Sequence, residues 1–156
     1  MKRFDNINEL QLEYVDEWIT SISNPTGVQG DIGNEIKLKF NIRINRGIEK
    51  LANKARIKVH VLVTPEEEPE GETGVKGEFL LGFVFEVNSL SDYMSFEDGS
   101  WHIDPTLSGT LISTAYSTAR GIVYSKCKGS PLGSVLMPII SVQDLMDLAD
   151  SGQIYQ

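Results

Sequence analysis

The sequence predicts an α+β fold: a four-stranded antiparallel sheet followed by a long helix and a short C-terminal helix. Two observations carry that prediction. Four stretches alternate apolar and polar residues, as strands with one buried face do. Both stretches with helical spacing come after all four, an order that favours an antiparallel sheet over alternating βαβ units.

The first strand is expected over Leu10–Ile22. Leu10, Leu12 and Tyr14 alternate with Gln11, Glu13 and Val15, and the pattern blurs near Trp18, where a bulge would absorb the slip. Pro25, Gly27, Gly30 and Gly33 mark a long connection. The second strand, Glu35–Asn45, is the clearest ladder. Ile36, Leu38, Phe40, Ile42 and Ile44 share one face, and Lys37, Lys39, Asn41, Arg43 and Asn45 share the other. Arg46–Lys54 reads as a connection anchored by Ile48 and Leu51. The third strand, Ala55–Thr64, aligns Ile57, Val59, Val61 and Val63.

Pro65–Gly74 carries Glu66, Glu67, Glu68, Glu70 and Glu72, a solvated acidic hairpin loop. The fourth strand, Lys76–Asn88, aligns Phe79, Leu81, Phe83, Phe85 and Val87. Its other face, with Leu80, Gly82 and Val84, also calls for partial cover. Ser91–Pro105 reads as an aromatic loop holding Tyr93, Phe96 and Trp101. Thr106–Lys126 repeats Leu111, Ala115, Ala119 and Ile122 at helical spacing, with many small residues between them. Gly129, Pro131 and Gly133 end that helix, and Ser141-Val142-Gln143-Asp144 opens the last one with a capping-box pattern.

The 156 residues fit one domain with one core, its first nine residues polar and loose. A net charge of −8 without a basic block argues against nucleic acid as a partner. It suits a positively charged protein partner or an unfolded chain rich in Lys and Arg. The lone Cys127 allows no internal disulfide and, with no apolar leader after Lys2 and Arg3, points to the cytoplasm. No run approaches the ~20 apolar residues that span a bilayer, so no membrane insertion is expected.

Chemistry is sparse. His60 and His102 are the only histidines. Asp104 lies two residues from His102, but no Gly-x-Ser-x-Gly elbow presents a serine. One Cys and two scattered His do not make a structural zinc site. The glycine fingerprints of nucleotide sites are absent. The better clue is aromatic. Trp18, Tyr93, Met94, Phe96 and Trp101 stand in or beside connections, where they either seal the core or form a groove for an extended chain.

Tyr116-Ser117-Thr118-Ala119-Arg120-Gly121-Ile122, with Pro138 and Ile139 ahead of Asp144-Leu145-Met146, resembles the SecB family of protein-export chaperones. The fourth strand, from Gly77-Glu78-Phe79 through Val84-Phe85-Glu86-Val87, looks like that family's acid-led strand. Leu10-Gln11-Leu12 and Pro25 resemble its first strand and exit, so the resemblance spans most of residues 10–148. It implies a SecB-like domain over residues 1–156, assembled as a dimer or a tetramer. It implies a holdase that binds unfolded polypeptides without ATP or another cofactor, not an enzyme. The client groove is then expected at Ile48, Leu51, Tyr93, Met94, Phe96 and Trp101. Family members in export dock on the SecA motor through acids. Here only Glu78 keeps such a position, while Ile19 and Ser23 stand where other acids are expected. Motor binding is therefore expected to be weak. The resemblance equally allows a dedicated chaperone of a toxin–antitoxin system. The reading from another class is a small-ligand or enzymatic pocket near His102.

Overall fold

The structure is a computed structural model that describes residues 1–27, 37–66 and 74–156. Four long strands form one antiparallel sheet: β1 (Leu10–Ser23), β2 (Leu38–Glu49), β3 (Lys54–Pro65) and β4 (Lys76–Val87). Their spatial order is β1-β4-β3-β2, which leaves β1 and β2 at the edges. The expected four-stranded sheet is present with the expected alternation. Ile42 lies opposite Val61, and Val61 opposite Phe79; Ile44, Val59 and Leu81 form the next row. These six side chains are all buried. β-Branched and aromatic residues in such rows pack across the strands and hold the register.

The blur in the first ladder is a pair of register shifts, between Leu12 and Tyr14 and between Glu17 and Ile19. Glu13 and Trp18 are the extra residues. Glu13 reaches across β4 to Lys54, 2.9 Å away, and this partner holds its carboxyl below the usual range. Trp18 folds over the outer face of β4. A Cβ at Gly82 would sit 3.0 Å from the indole, so the glycine makes room for the ring. Lys58 Nζ lies 4.9 Å from the ring centroid. This is the partial cover that the second face of β4 called for, with Val84 beside it buried.

Helix α1 (Pro105–Cys127) lies on the other face of the sheet, and α2 (Val142–Ser151) packs against α1 and β2. Leu107, Leu111, Ala115, Ala119 and Val123 of α1 are buried on one stripe, extended sideways by Ile112 and Tyr116. Ser141 caps α2 by accepting the Asp144 N–H at 3.1 Å, as its sequence pattern requires.

Three expectations change. The second strand does not stop at Asn45 but runs to Glu49, so only Lys50–Asn53 connects it to β3. Arg46 conceals this, because it places a charge on the core-facing side. That charge is met: one Arg46 amine bonds the buried Ser108 hydroxyl, and the other lies 3.0 Å from Asp150. The aromatic loop contains a small hairpin, β5 (Met94–Glu97) and β6 (Ser100–Ile103). Its turn is Asp98-Gly99 with φ of 50° and 78°. Asp-Gly is the standard dipeptide for such a two-residue hairpin turn. Finally, the polar N-terminus is anchored rather than loose. Phe4 is buried edge-on against Tyr93 at 5.4 Å, and the Lys2 N–H donates to the Asp92 carbonyl at 2.7 Å. Residues Glu35 and Ile36, and Glu67, Glu68, Glu70 and Glu72 of the acidic loop, lie outside the described residues.

Asp104 joins several of these parts. Its buried carboxylate accepts the Leu107 N–H at 3.1 Å, capping α1, and the Phe4 N–H at 3.0 Å. Its own N–H donates to the Tyr93 carbonyl at 2.8 Å. Asp104→Ala leaves two donors unpaired and is expected to cost about 1–3 kcal/mol. Urea unfolding will measure it. Cys127 is buried at the end of α1, and burial pushes its thiol up to about 11. The native thiol will resist maleimide at neutral pH and react once the chain is unfolded.

Candidate functional site

The C-terminal half of β2 and the small hairpin meet at one end of the sheet. Parity places Ile48 on the helix-facing side of β2, behind Arg46, and the turn after Glu49 carries Lys50 beside the hairpin. Met94 begins β5; Trp101, His102 and Ile103 belong to β6. Together Arg46, Ile48, Lys50, Met94, Trp101, His102 and Ile103 enclose an open, mainly apolar cavity of about 260 Å³. Trp101 is 55% exposed and Phe96 59% exposed, with their rings 5.2 Å apart. Lys50 Nζ stands 4.0 Å from the centroid of the Trp101 ring. Exposed aromatic surface beside an apolar cavity is the chemistry that receives non-polar side chains.

Of the residues expected to form a groove, Ile48, Met94 and Trp101 line this cavity, and Phe96 packs on its Trp101 wall. Leu51 is fully exposed on the β2–β3 turn and outside the cavity lining. Tyr93 is placed differently. Its ring is wholly buried against Phe4, and its hydroxyl donates to the Glu9 carboxylate. That bond, more than any other influence, pushes the phenol above its ordinary value. Tyr93 supports the hairpin from beneath and offers no surface. It follows the buried Leu90 at a spacing of three in a single 3-10 turn, which is too short for its own periodicity to reveal.

The rim is basic although the chain is acidic. Arg46, Lys50 and His102 border the cavity. Neither Arg46 nor Lys50 was singled out by sequence pattern. Arg46 could have been found by continuing the β2 alternation past Asn45; the position of Lys50 depends on the turn and has no local signal. His102 sits in β6 with its Nε2 3.1 Å from the Ser100 hydroxyl. Asp104 is committed to the Phe4 and Leu107 amides, so acid and imidazole act apart. Among the described residues no three His, Cys, Asp or Glu side chains gather as a metal site would require.

Glu78 lies on the outer face of the sheet, opposite Leu62 and Ser21. Its carboxylate is 3.0 Å from His60 Nε2, and both side chains are roughly one-third exposed. Ile19 pairs with Leu80 and Ser23 with Lys76, while the nearby acid Glu17 is 3.7 Å from Lys126. Glu17 pairs with Leu81 on the helix-bearing face, whereas Asp16 lies on the outer face opposite Gly82. No helix is long and apolar enough to cross a membrane among the described residues.

No protein-family model matches the chain, and no curated protein matches it in sequence. Among solved structures it is similar to the Mycobacterium tuberculosis SecB-like chaperone Rv1957, in complex with a ChAD peptide from the HigA1 antitoxin. The TM-score is 0.55 at 11% identity, over 86% of this chain and 91% of that one. The chain therefore has a SecB-like fold.

Because Tyr93 is buried, Tyr93→Phe will act on folding and not on the cavity. It leaves the Glu9 carboxylate without its donor. The urea midpoint is expected to fall, while the emission of Trp101 stays unchanged in a Trp18→Phe background.

Proposed function

We propose that this protein is an ATP-independent chaperone that holds unfolded or partly folded polypeptides. The observation that carries the reading is the open apolar cavity flanked by exposed Trp101 and Phe96, on a fold it shares with a peptide-binding chaperone. Client side chains enter between Ile48, Met94 and Trp101 and displace water from apolar surface. Leu51 and Phe96 extend the contact outward. The acidic chain attracts basic clients at long range, while the basic rim tunes which flanking residues are accepted. No bond is made or broken, and no cofactor enters.

The neighbour's bound peptide favours one form of this reading, a dedicated chaperone of an antitoxin, over a general role in export. The engagement of Glu78 by His60 supports the same preference, since a motor would have to compete for that carboxylate. Export through the SecA motor remains the rival. Titration with the isolated SecA motor at low salt separates the two. Tight binding abolished by Glu78→Lys would establish export instead.

We also infer a homodimer or tetramer in the cytoplasm. Tyr124, Leu136, Ile139 and Val142 expose apolar side chains on or beside the helices. A monomer rarely leaves such surface bare. Light scattering that finds a monomer at high micromolar concentration would refute the assembly.

The holding activity is tested by suppression of aggregation of an unrelated unfolded chain. Trp101→Ala or Phe96→Ala is expected to weaken client binding by about 1–3 kcal/mol. Neutralising Glu66 together with its acidic neighbours is expected to change mainly the salt dependence. Full loss in the charge variants with none in the aromatic variants would place the groove elsewhere.

A further inference from the structure

The outer face of the sheet lies away from the cavity at Trp101, which opens on the helix-bearing side. Ala55, Ile57, Val59 and Val61 of β3 are buried toward the helices, so strand alternation turns Lys54, Arg56, Lys58 and His60 outward. Every outward position from Lys54 to His60 thus carries a basic group, in a chain whose net charge is −8. Acids meet three of the four. Lys54 lies 2.9 Å from Glu13, Arg56 2.7 Å from Glu49, and His60 3.0 Å from Glu78.

Lys58 is different. It forms no ion pair among the described residues, and its ammonium stands over the Trp18 ring instead. Arg43, outward on β2, is exposed and also forms none among the described residues. Arg43 lies opposite His60, and Lys58 opposite Asn45. The two cations are therefore diagonal neighbours, which stand about 7–8 Å apart in an antiparallel pair. Like charges this near repel, and a carboxylate brought to them relieves the repulsion. On the β4 side the pair borders apolar surface. Leu80 lies opposite both His60 and Ile19, and Trp18 covers Gly82, which lies opposite Lys58. Trp18 is 48% exposed.

We propose that this part of the outer face docks an acidic segment of a partner protein, with carboxylates on Arg43 and Lys58 and an apolar side chain laid on Trp18 and Leu80. Side chains two positions apart on an extended segment are roughly 7 Å apart, so acids at alternate positions match the spacing of the two cations. The Arg43 guanidinium offers a carboxylate two parallel N–H donors. Beyond a Debye length of about 8 Å the negative charge of the whole chain is screened, so the two cations prevail once contact is made. A nucleic acid fits less well. Asp16 shares the row of Lys58, Glu78 stands one row from Arg43, and Glu49 two rows from Lys58. A backbone with a charge at every step would meet those carboxylates too, whereas a short acidic segment touches the cations alone.

The test is calorimetric titration of the full chain with three capped peptides that differ only in charge: Gly-Glu-Phe-Glu-Leu-Gly, and its forms with Gln or Lys in place of both Glu. The Glu form is expected to bind about threefold to tenfold more tightly than the Gln form, and the Lys form most weakly. Arg43→Gln with Lys58→Gln is expected to erase the difference. Arg43→Glu with Lys58→Glu is expected to reverse the order. Both side chains are exposed and outside the core, so these variants are expected to keep the urea midpoint of the unaltered chain. Trp18→Ala is expected to weaken all three peptides about threefold or more. Trp101→Ala is expected to leave their affinities unchanged. Absence of binding, equal binding of the three peptides, or an order that survives charge reversal would overturn the proposal. So would loss of binding in Trp101→Ala, which would return the peptide to the cavity on the other side. A lower assembly mass of the charge-reversed protein in light scattering would make the face a contact between copies of this chain. Tighter binding of a single-stranded oligonucleotide that depends on Arg43 and Lys58 would make it a nucleic-acid surface. Either result overturns the acidic protein partner.

Discussion

The buried carboxylate of Asp104 is the constraint on which the working end of the molecule depends. A charge that deep is tolerated only because amide donors meet it. Those donors come from Phe4, near the start of the chain, and Leu107, in the first turn of α1. The same residue follows β6 directly, and its own N–H holds Tyr93 just ahead of β5. One residue thus fixes the N-terminal stretch and the start of the long helix through its carboxylate, and both ends of the hairpin through its backbone N–H. Without that fastening, Trp101 would have no defined place opposite Ile48. The cavity is a product of tertiary ties more than of local preference.

A second tie runs through Arg46. It is a charged residue at a core-facing position of β2, balanced by Ser108 of α1 and Asp150 of α2. It also borders the apolar cavity. The sheet edge, both helices and the cavity wall therefore meet at one guanidinium. A fork-shaped cation with several donors suits such a junction better than a lysine would.

The sheet was legible because its alternation is strong and continuous. Ile42, Ile44, Val59, Val61, Phe79 and Leu81 announced their face in sequence, and all six are buried. The helices were legible from spacing and from the Ser141 cap. What escaped was settled by contacts distant in sequence. Arg46 resembled the start of a loop because its partners lie 62 and 104 residues away. Tyr93 looked like a surface aromatic because Phe4, which covers it, belongs to a stretch that reads as loose. The Asp98-Gly99 hairpin, by contrast, had a local signature within an aromatic stretch that reads as loop. Part of the cavity was therefore visible in the sequence: Ile48, Met94, Trp101 and His102 stood out there, and Arg46, Lys50 and Ile103 did not.

Gly82 and Trp18 have a consequence of a different kind. The indole lies flat on the outer face of the sheet because the glycine leaves room for it, whereas Trp101 stands at the opposite, helix-bearing side. These are the only two tryptophans in the chain. Each face of the protein thus has its own intrinsic fluorophore. Replacing either one by phenylalanine turns the other into a single-site optical reporter. The molecule can then register, without any attached dye, which of its two sides a partner has touched.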